Sequence, residues 1–291
     1  RLMNPVHLIT DSTADLSRQY YDENNIICLP YTYIIDGQPY SDVPGQTDLS
    51  AYYQSIREGA LPSTTNINHA AIFEAVSPLM AQGEDVLYIC FSSALTSTYQ
   101  FAVACAEEVN AQYPDQHFYV VDSRSAAIGQ GIVIRHAAKL KAEGYSARQI
   151  AEALPSYIQT VEHWFMVDSL DHLRRGGRIS GASAAVGKML KIKPILHIDE
   201  KGALIPTAKI NGRKKGMRFL VQKLVERAVS PEQQTVYITH ADCLEDALHL
   251  KKMIEAELSV KNVEIVPIGA VVGAHTGAGL LAVVFEGQSR S

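Results

Sequence analysis

Three apolar runs constrain the first half of this chain more than any other feature. Val6-His7-Leu8-Ile9-Thr10 runs into Asp11-Ser12-Thr13, Val86-Leu87-Tyr88-Ile89-Cys90-Phe91 into Ser92-Ser93, and Phe118-Tyr119-Val120-Val121 into Asp122-Ser123. Strand, then hydroxyl or carboxylate, then helical pattern, repeated, is the order of parallel strands joined by crossover helices. Strands apolar on both faces need cover on both faces, so the sheet must lie between helical layers. The pattern predicts helices over residues 49–59, 68–81, 95–113 and 125–144.

A helix over 146–160 leads into a second half of different character. Trp164-Phe165-Met166-Val167 reads as a strand, and 195–198 with 203–208 as a hairpin turning at Asp199-Glu200-Lys201-Gly202. Met217, Leu220, Val221, Leu224, Val225 and Ala228 recur at helical spacing over 214–229. A strand at Val236-Tyr237-Ile238 precedes a helix over 242–257, and two last strands flank a glycine-rich loop. The border falls near residue 160, giving two α/β domains, 1–160 and 161–291.

With 291 residues, 47% of them hydrophobic and 20% charged, the chain can bury a sizeable core. A net charge of −5 supplies no concentrated positive field, which argues against nucleic acid as a partner. Cys28, Cys90, Cys105 and Cys243 include no C-x-x-C pair, and lone core thiols fit a reducing compartment, so a cytoplasmic protein is expected. No signal-peptide pattern opens the chain, and Arg1-Leu2 before Met3 reads as a cut end. Residues 265–285 carry no charge over a bilayer-spanning length, but Pro267, Gly269, Gly273, Gly277 and Gly279 split them into strand, loop and strand.

Familiar catalytic signatures fail. Gly277-Ala278-Gly279-Leu280-Leu281-Ala282 matches a loose dinucleotide pattern but lacks the βαβ unit that must follow. From Gly181 to Gly187-Lys188 the spacing is one residue too long for a phosphate loop, and Met189 stands where a magnesium-holding hydroxyl is needed. Neither G-x-S-x-G nor H-E-x-x-H occurs, and no metal site is expected. Asp11 with Asp15 lacks the second acidic cluster of an aspartyl phosphotransferase.

Small polar clusters in loops remain: Asp11-Ser12-Thr13, Pro62-Ser63-Thr64-Thr65-Asn66, Ser92 to Gln100, Arg174-Arg175-Gly176-Gly177-Arg178-Ile179-Ser180, and Gly273-Ala274-His275-Thr276-Gly277. Hydroxyl and carboxylate residues before a helix are most often N-caps, which is the reading favoured for Asp11 as a loop organiser. For Ser92-Ser93 a cap and a ligand site are equally good readings, because a helix N-terminus with neighbouring hydroxyls suits a carboxylate or phosphate. A lone histidine such as His275 is usually structural; glycines around it give a ligand close access. Gly176-Gly177-Arg178 reads either as a helix C-cap or, with Arg174 and Arg175, as a basic docking patch.

In this order and spacing the segments resemble the DegV family of fatty-acid-binding proteins, from Asp11-Ser12-Thr13 to the His275 loop. The most specific stretch is Leu173 to Ser180, followed by Gly187 to Leu196 with Ile192-Lys193-Pro194-Ile195-Leu196. The resemblance implies a two-domain α/β fold: a three-layer α/β/α domain with a mostly parallel sheet, then an α/β domain with a mixed sheet. It implies a long-chain fatty acid bound in a ligand cleft between the two domains, no cofactor and no catalysis by this chain. The carboxylate would be presented to a separate fatty acid kinase subunit, and transient membrane contact is compatible with that role. Carried over by residue, Thr64 with Thr65 and Ser93 with Ser92 donate to the carboxylate, His275 closes the site, and Arg178 with Arg174 and Arg175 meets the kinase. This chain has Thr64-Thr65-Asn66-Ile67 where the family often has T-S-Q-P, so Ser63 is an alternative to Thr64. The competing readings are a lipid-ester hydrolase or transferase using Ser93 and His275, and a sugar binder related to dihydroxyacetone kinases.

Overall fold

The computed structural model describes residues 2–179 and 191–290. Ser180, the Gly181 to Lys188 stretch, Met189 and the start of the Gly187–Leu196 motif lie outside the described residues. Thirteen strands are present among those described: β1 (Val6–Asp11), β2 (Ile27–Leu29), β3 (Thr32–Ile35), β4 (Gln38–Ser41), β5 (Ser63–Thr65), β6 (Asp85–Cys90), β7 (Phe118–Asp122), β8 (Val161–Met166), β9 (Ile192–Ile198), β10 (Leu204–Asn211), β11 (Thr235–His240), β12 (Asn262–Pro267) and β13 (Leu281–Glu286). They form three sheets.

The first sheet has the order β2-β1-β6-β7 and is parallel throughout, as the apolar runs require. All of β1 and nearly all of β6 are buried, because helices cover both faces. Residues of β1 and β6 divide by twos between two cores: Ile9, Tyr88 and Cys90 lie in one, Leu8, Leu87 and Ile89 in the other. The second sheet, β10-β9-β8-β13-β11-β12, is mixed: β11 and β12 run parallel and the other pairs antiparallel. The fold is therefore α/β, with a parallel N-terminal sheet and a mixed C-terminal one.

A third sheet, β4-β3-β5, is antiparallel and small, and the sequence pattern does not announce it. Its strands are only three or four residues long, and β4 is exposed throughout, so neither periodicity nor apolarity marks them. It turns the threonine segment, expected as loop, into strand β5.

Two helices start later than their apolar pattern suggests. Residues 92–97 stay out of the helix Thr98–Gln112, because Thr96 and Thr98 hydroxyls bond Asn66, Tyr31 and the amide of Ile67. The helix Ile128–Ala142 begins only after Ser123 and Ser125 have bonded each other's main chain and Ala127 has taken a left-handed φ of 53°. Several other helices have side-chain caps: Asp48, Asn68 and Ser146 each accept a first-turn amide, and Ser146 completes a capping box with Gln149.

The largest departure lies between β12 and β13. Residues 270–276, expected as a glycine-rich loop, form the helix Ala270–Thr276. Its glycines serve packing. A Cβ on Gly273 would come within 2.3 Å of the Tyr53 hydroxyl oxygen, so only glycine lets this helix lie against the helix Leu49–Arg57. Among the described residues no helix is long and apolar enough to cross a membrane.

Candidate functional site

The helix Ala270–Thr276 belongs to the C-terminal half of the chain but is fastened to the N-terminal half. Tyr52 Oη donates to Ala270 O at 2.8 Å, Tyr53 Oη to Ile268 O at 2.7 Å, and Gly269 N to Asp15 Oδ1 at 3.2 Å. The effect is to bring His275 against β5, where Thr64 Oγ1 lies 2.8 Å from His275 Nε2. Strand alternation decides which hydroxyl takes part: Thr64 is half-buried and faces the histidine, while Ser63 and Thr65 are exposed on the opposite side. Burial, and then the guanidinium groups of Arg178 and Arg175, push the His275 pKa down to about 4, so the ring is neutral near pH 7.

Behind this pair runs an apolar cavity between the first and second sheets. Phe91, Leu95, Ala126 and Ala127 line it from the N-terminal side, and Phe165, Ile198, Leu204, Ala282 and Val284 from the C-terminal side. The space between the lining atoms is about 620 Å³, counting solvent at its mouth. Leu280, Ala282 and Val284 follow by twos along the chain into β13, so the cavity extends along that strand. His275, Thr276 and Arg178 line the end near Leu280, while His163 pairs with Val284 across the sheet at the other.

Arg178 is half-buried, its Nε donating to Leu95 O at 3.2 Å and its Nη1 to Gly176 O. Arg174 and Arg175 are exposed on the short helix Asp171–Arg175; Arg174 reaches Asp171 at 3.3 Å, and Arg175 reaches His172. Gly176 is needed where it stands, since a Cβ there would lie 2.5 Å from His275 Nδ1. The glycine-arginine motif and the histidine motif thus belong to one site, although almost a hundred residues separate them.

The two serines have other acceptors. Ser92 Oγ is buried and donates to Gly202 O at 2.8 Å, joining the first sheet to the β9–β10 hairpin. Ser93 Oγ donates to Asp122 Oδ2, and Ser93 N to Asp122 Oδ1 at 3.1 Å. Neither serine lines the cavity, and among the described residues no hydrogen bond joins Ser93 to His275.

Asp11 is the loop organiser expected from its position. Its buried carboxylate accepts from Thr13, Gln130, Tyr88 Oη and Phe91 N, tying the C-terminal ends of β1 and β6 together beneath the cavity. Burial raises its pKa and these donors oppose the rise. Two polar residues in the cavity wall, His163 and Thr239, carry no sequence signal beyond a polar side chain inside an apolar strand. No cluster of three metal-ligating side chains occurs among the described residues.

Known proteins share this architecture. A DegV domain-containing protein of Clostridium perfringens is 41% identical over 284 residues, 97% of this chain and 98% of that protein. A DegV lipid-binding protein from Thermotoga maritima superposes with a TM-score of 0.85 at 28% identity, covering 99% of this chain and 100% of that one. DegV from Bacillus subtilis, described as a fatty acid binding protein, gives a TM-score of 0.83 at 29% identity, covering 97% and 99%. The model described as "Uncharacterised protein, DegV family" matches residues 5–288, and the chain belongs to the DegV family.

Proposed function

We propose that this protein binds a long-chain fatty acid in the cavity between its two sheets, with the carboxylate at the Thr64–His275 end. The protein would then offer that carboxylate to a separate kinase subunit for phosphorylation. The observation that carries the reading is the cavity itself: largely apolar walls from both halves of the chain, with His275 and Arg178 in its lining and Thr64 Oγ1 2.8 Å from His275 Nε2. Relatives in Thermotoga maritima and Bacillus subtilis are described as binding fatty acids.

The energetics are adequate. An acyl chain of around fifteen methylenes gains about 12 kcal/mol on leaving water, at roughly 0.8 kcal/mol each. Immobilising the ligand offsets several kcal/mol of this. The carboxylate must keep hydrogen bonds, since a buried unpaired anion costs more than the chain can repay. If His275 Nε2–H donates to Thr64 Oγ1, the threonine hydroxyl hydrogen is left to donate to the ligand. The guanidinium of Arg178 lends positive potential at the mouth.

The same reading gives this chain no catalytic step and no cofactor. It makes the protein a cytoplasmic carrier of two domains joined near residue 160, with transient membrane contact for lipid exchange. Exposed Arg174 and Arg175, next to Arg178, offer the basic edge that a kinase subunit would meet. Ser93, with Ser92 beside it, is the second proposed carboxylate donor; in this structure their hydroxyls bond Asp122 and Gly202 O, respectively.

Mass spectrometry of the purified protein, first under native and then under denaturing conditions, tests the assignment. A released fatty acid at near-stoichiometric yield is expected. Protein free of lipid that also fails to take up added octadecanoate would overturn the reading.

A further inference from the structure

The cavity wall is apolar except in two places away from the Thr64–His275 end. Thr239 is 2% exposed, and its Oγ1 has no hydrogen-bond partner among the described residues. It stands beside Ala282, which in turn stands beside Phe165, so all three share the sheet face that lines the cavity. His163 is 4% exposed. Its Nε2 accepts from Ala126 N at 3.5 Å, which leaves the ring proton on Nδ1, and Nδ1 has no partner among the described residues. His163 also lines a small polar cavity with Glu162 and Arg290, so Thr239 is the group that faces the lipid cavity alone.

Leaving a hydroxyl buried and unpaired is costly, and valine would fill the same volume without that cost. A polar atom held in that state by a binding protein marks where a ligand's own polar atom belongs. We propose that the preferred ligand is an acyl chain bearing an oxygen within its length, a hydroxylated fatty acid, with that oxygen bonded to Thr239 Oγ1. The inference rests on the fatty-acid reading above and deepens it. A chain hydroxyl is both donor and acceptor, so it completes the threonine hydroxyl whichever way that rotates. His163 Nδ1–H, further along the cavity, is a donor for an oxygen placed nearer the chain end.

The geometry also predicts discrimination by position. A hydroxyl on a carbon that reaches neither Thr239 nor His163 must be buried against Phe165, Ala282 or Val284 without a partner, so it should weaken binding. One isomer should therefore exceed the unsubstituted chain while most fall below it.

The test is competition between octadecanoic acid and a set of octadecanoic acids carrying one hydroxyl at different carbons, read by mass spectrometry of the bound lipid. One isomer is expected to be retained about fivefold over the plain acid. Thr239→Val should abolish that preference, and Thr239→Ser should keep it. If octadecanoate binds but no isomer exceeds it, or if Thr239→Val leaves the preference intact, this inference fails and the fatty-acid reading stands. If neither plain nor hydroxylated acid binds, the fatty-acid reading itself fails.

Discussion

Thr64 Oγ1 and His275 Nε2 are 2.8 Å apart, although 211 residues of chain separate them. Neither side chain reaches this position through its own element alone. Strand β5 directs Thr64 inward, and the anchoring of the helix Ala270–Thr276 by Tyr52, Tyr53 and Asp15 brings His275 to it.

Loss of the threonine hydroxyl should weaken carboxylate binding. A hydrogen bond to a charged group contributes about 1.5–3 kcal/mol, so Thr64→Val is expected to lower fatty acid affinity by about tenfold or more. Thr64→Ser should retain most of it, and Ser63→Ala should change little because Ser63 faces solvent. Displacement of a fluorescent fatty acid measures all three; equal losses for Thr64→Val and Ser63→Ala would contradict the geometry.

Acid should destabilise the fold through His275. Its folded pKa, pushed down to about 4, lies below the ordinary histidine value. Between about pH 6.5 and 4 the unfolded chain therefore binds the extra proton, and stability falls as pH falls through that window, by about 3 kcal/mol at most. Asp42 acts in the opposite sense: burial lifts its pKa from 3.8 to about 6, so its cost grows as pH rises through that interval and is absent below it. Urea unfolding of wild type and His275→Asn across pH 4–7 isolates the histidine: the variant should show the shallower loss on acidification.

Gly273→Ala places a methyl group 2.3 Å from the Tyr53 hydroxyl oxygen and should destabilise the protein by about 1–3 kcal/mol. Removing that oxygen relieves the shortest contact but leaves ring carbons Cε1 and Cζ at 2.8 Å, so the combination with Tyr53→Phe should still be destabilised yet cost somewhat less than the sum of the single changes. Denaturant midpoints of the four proteins check this, and strict additivity would refute the contact.

Asp11→Ala should be among the most damaging single changes. It strips the acceptor from Thr13, Gln130, Tyr88 and the Phe91 amide in a fully buried place, at a cost of about 3 kcal/mol or more. Since Phe91 lines the cavity, lipid retention should fall along with the thermal midpoint. Unchanged retention would separate the two.

The middle of the parallel sheet could be read from the sequence because β1 and β6 are buried on both faces and leave an unbroken apolar signature, whereas the short, half-buried β2 leaves none. The motifs around Thr64, Ser92-Ser93, Arg178 and His275 were equally plain as local chemistry, and their order pointed to the DegV family. Local chemistry does not fix distance, however. Only the tertiary structure paired Thr64 with His275, gave Ser93 to Asp122 and Ser92 to Gly202, and set Arg178 against the cavity. Glycines at 273 and 176 looked like loop punctuation, and the folded chain uses them as points of close approach, which depend on neighbours distant in sequence. Thr239 shows the difference most simply: alternation along a strand gives its face, but whether its hydroxyl finds a partner depends on which strands and which cavity the fold sets beside it.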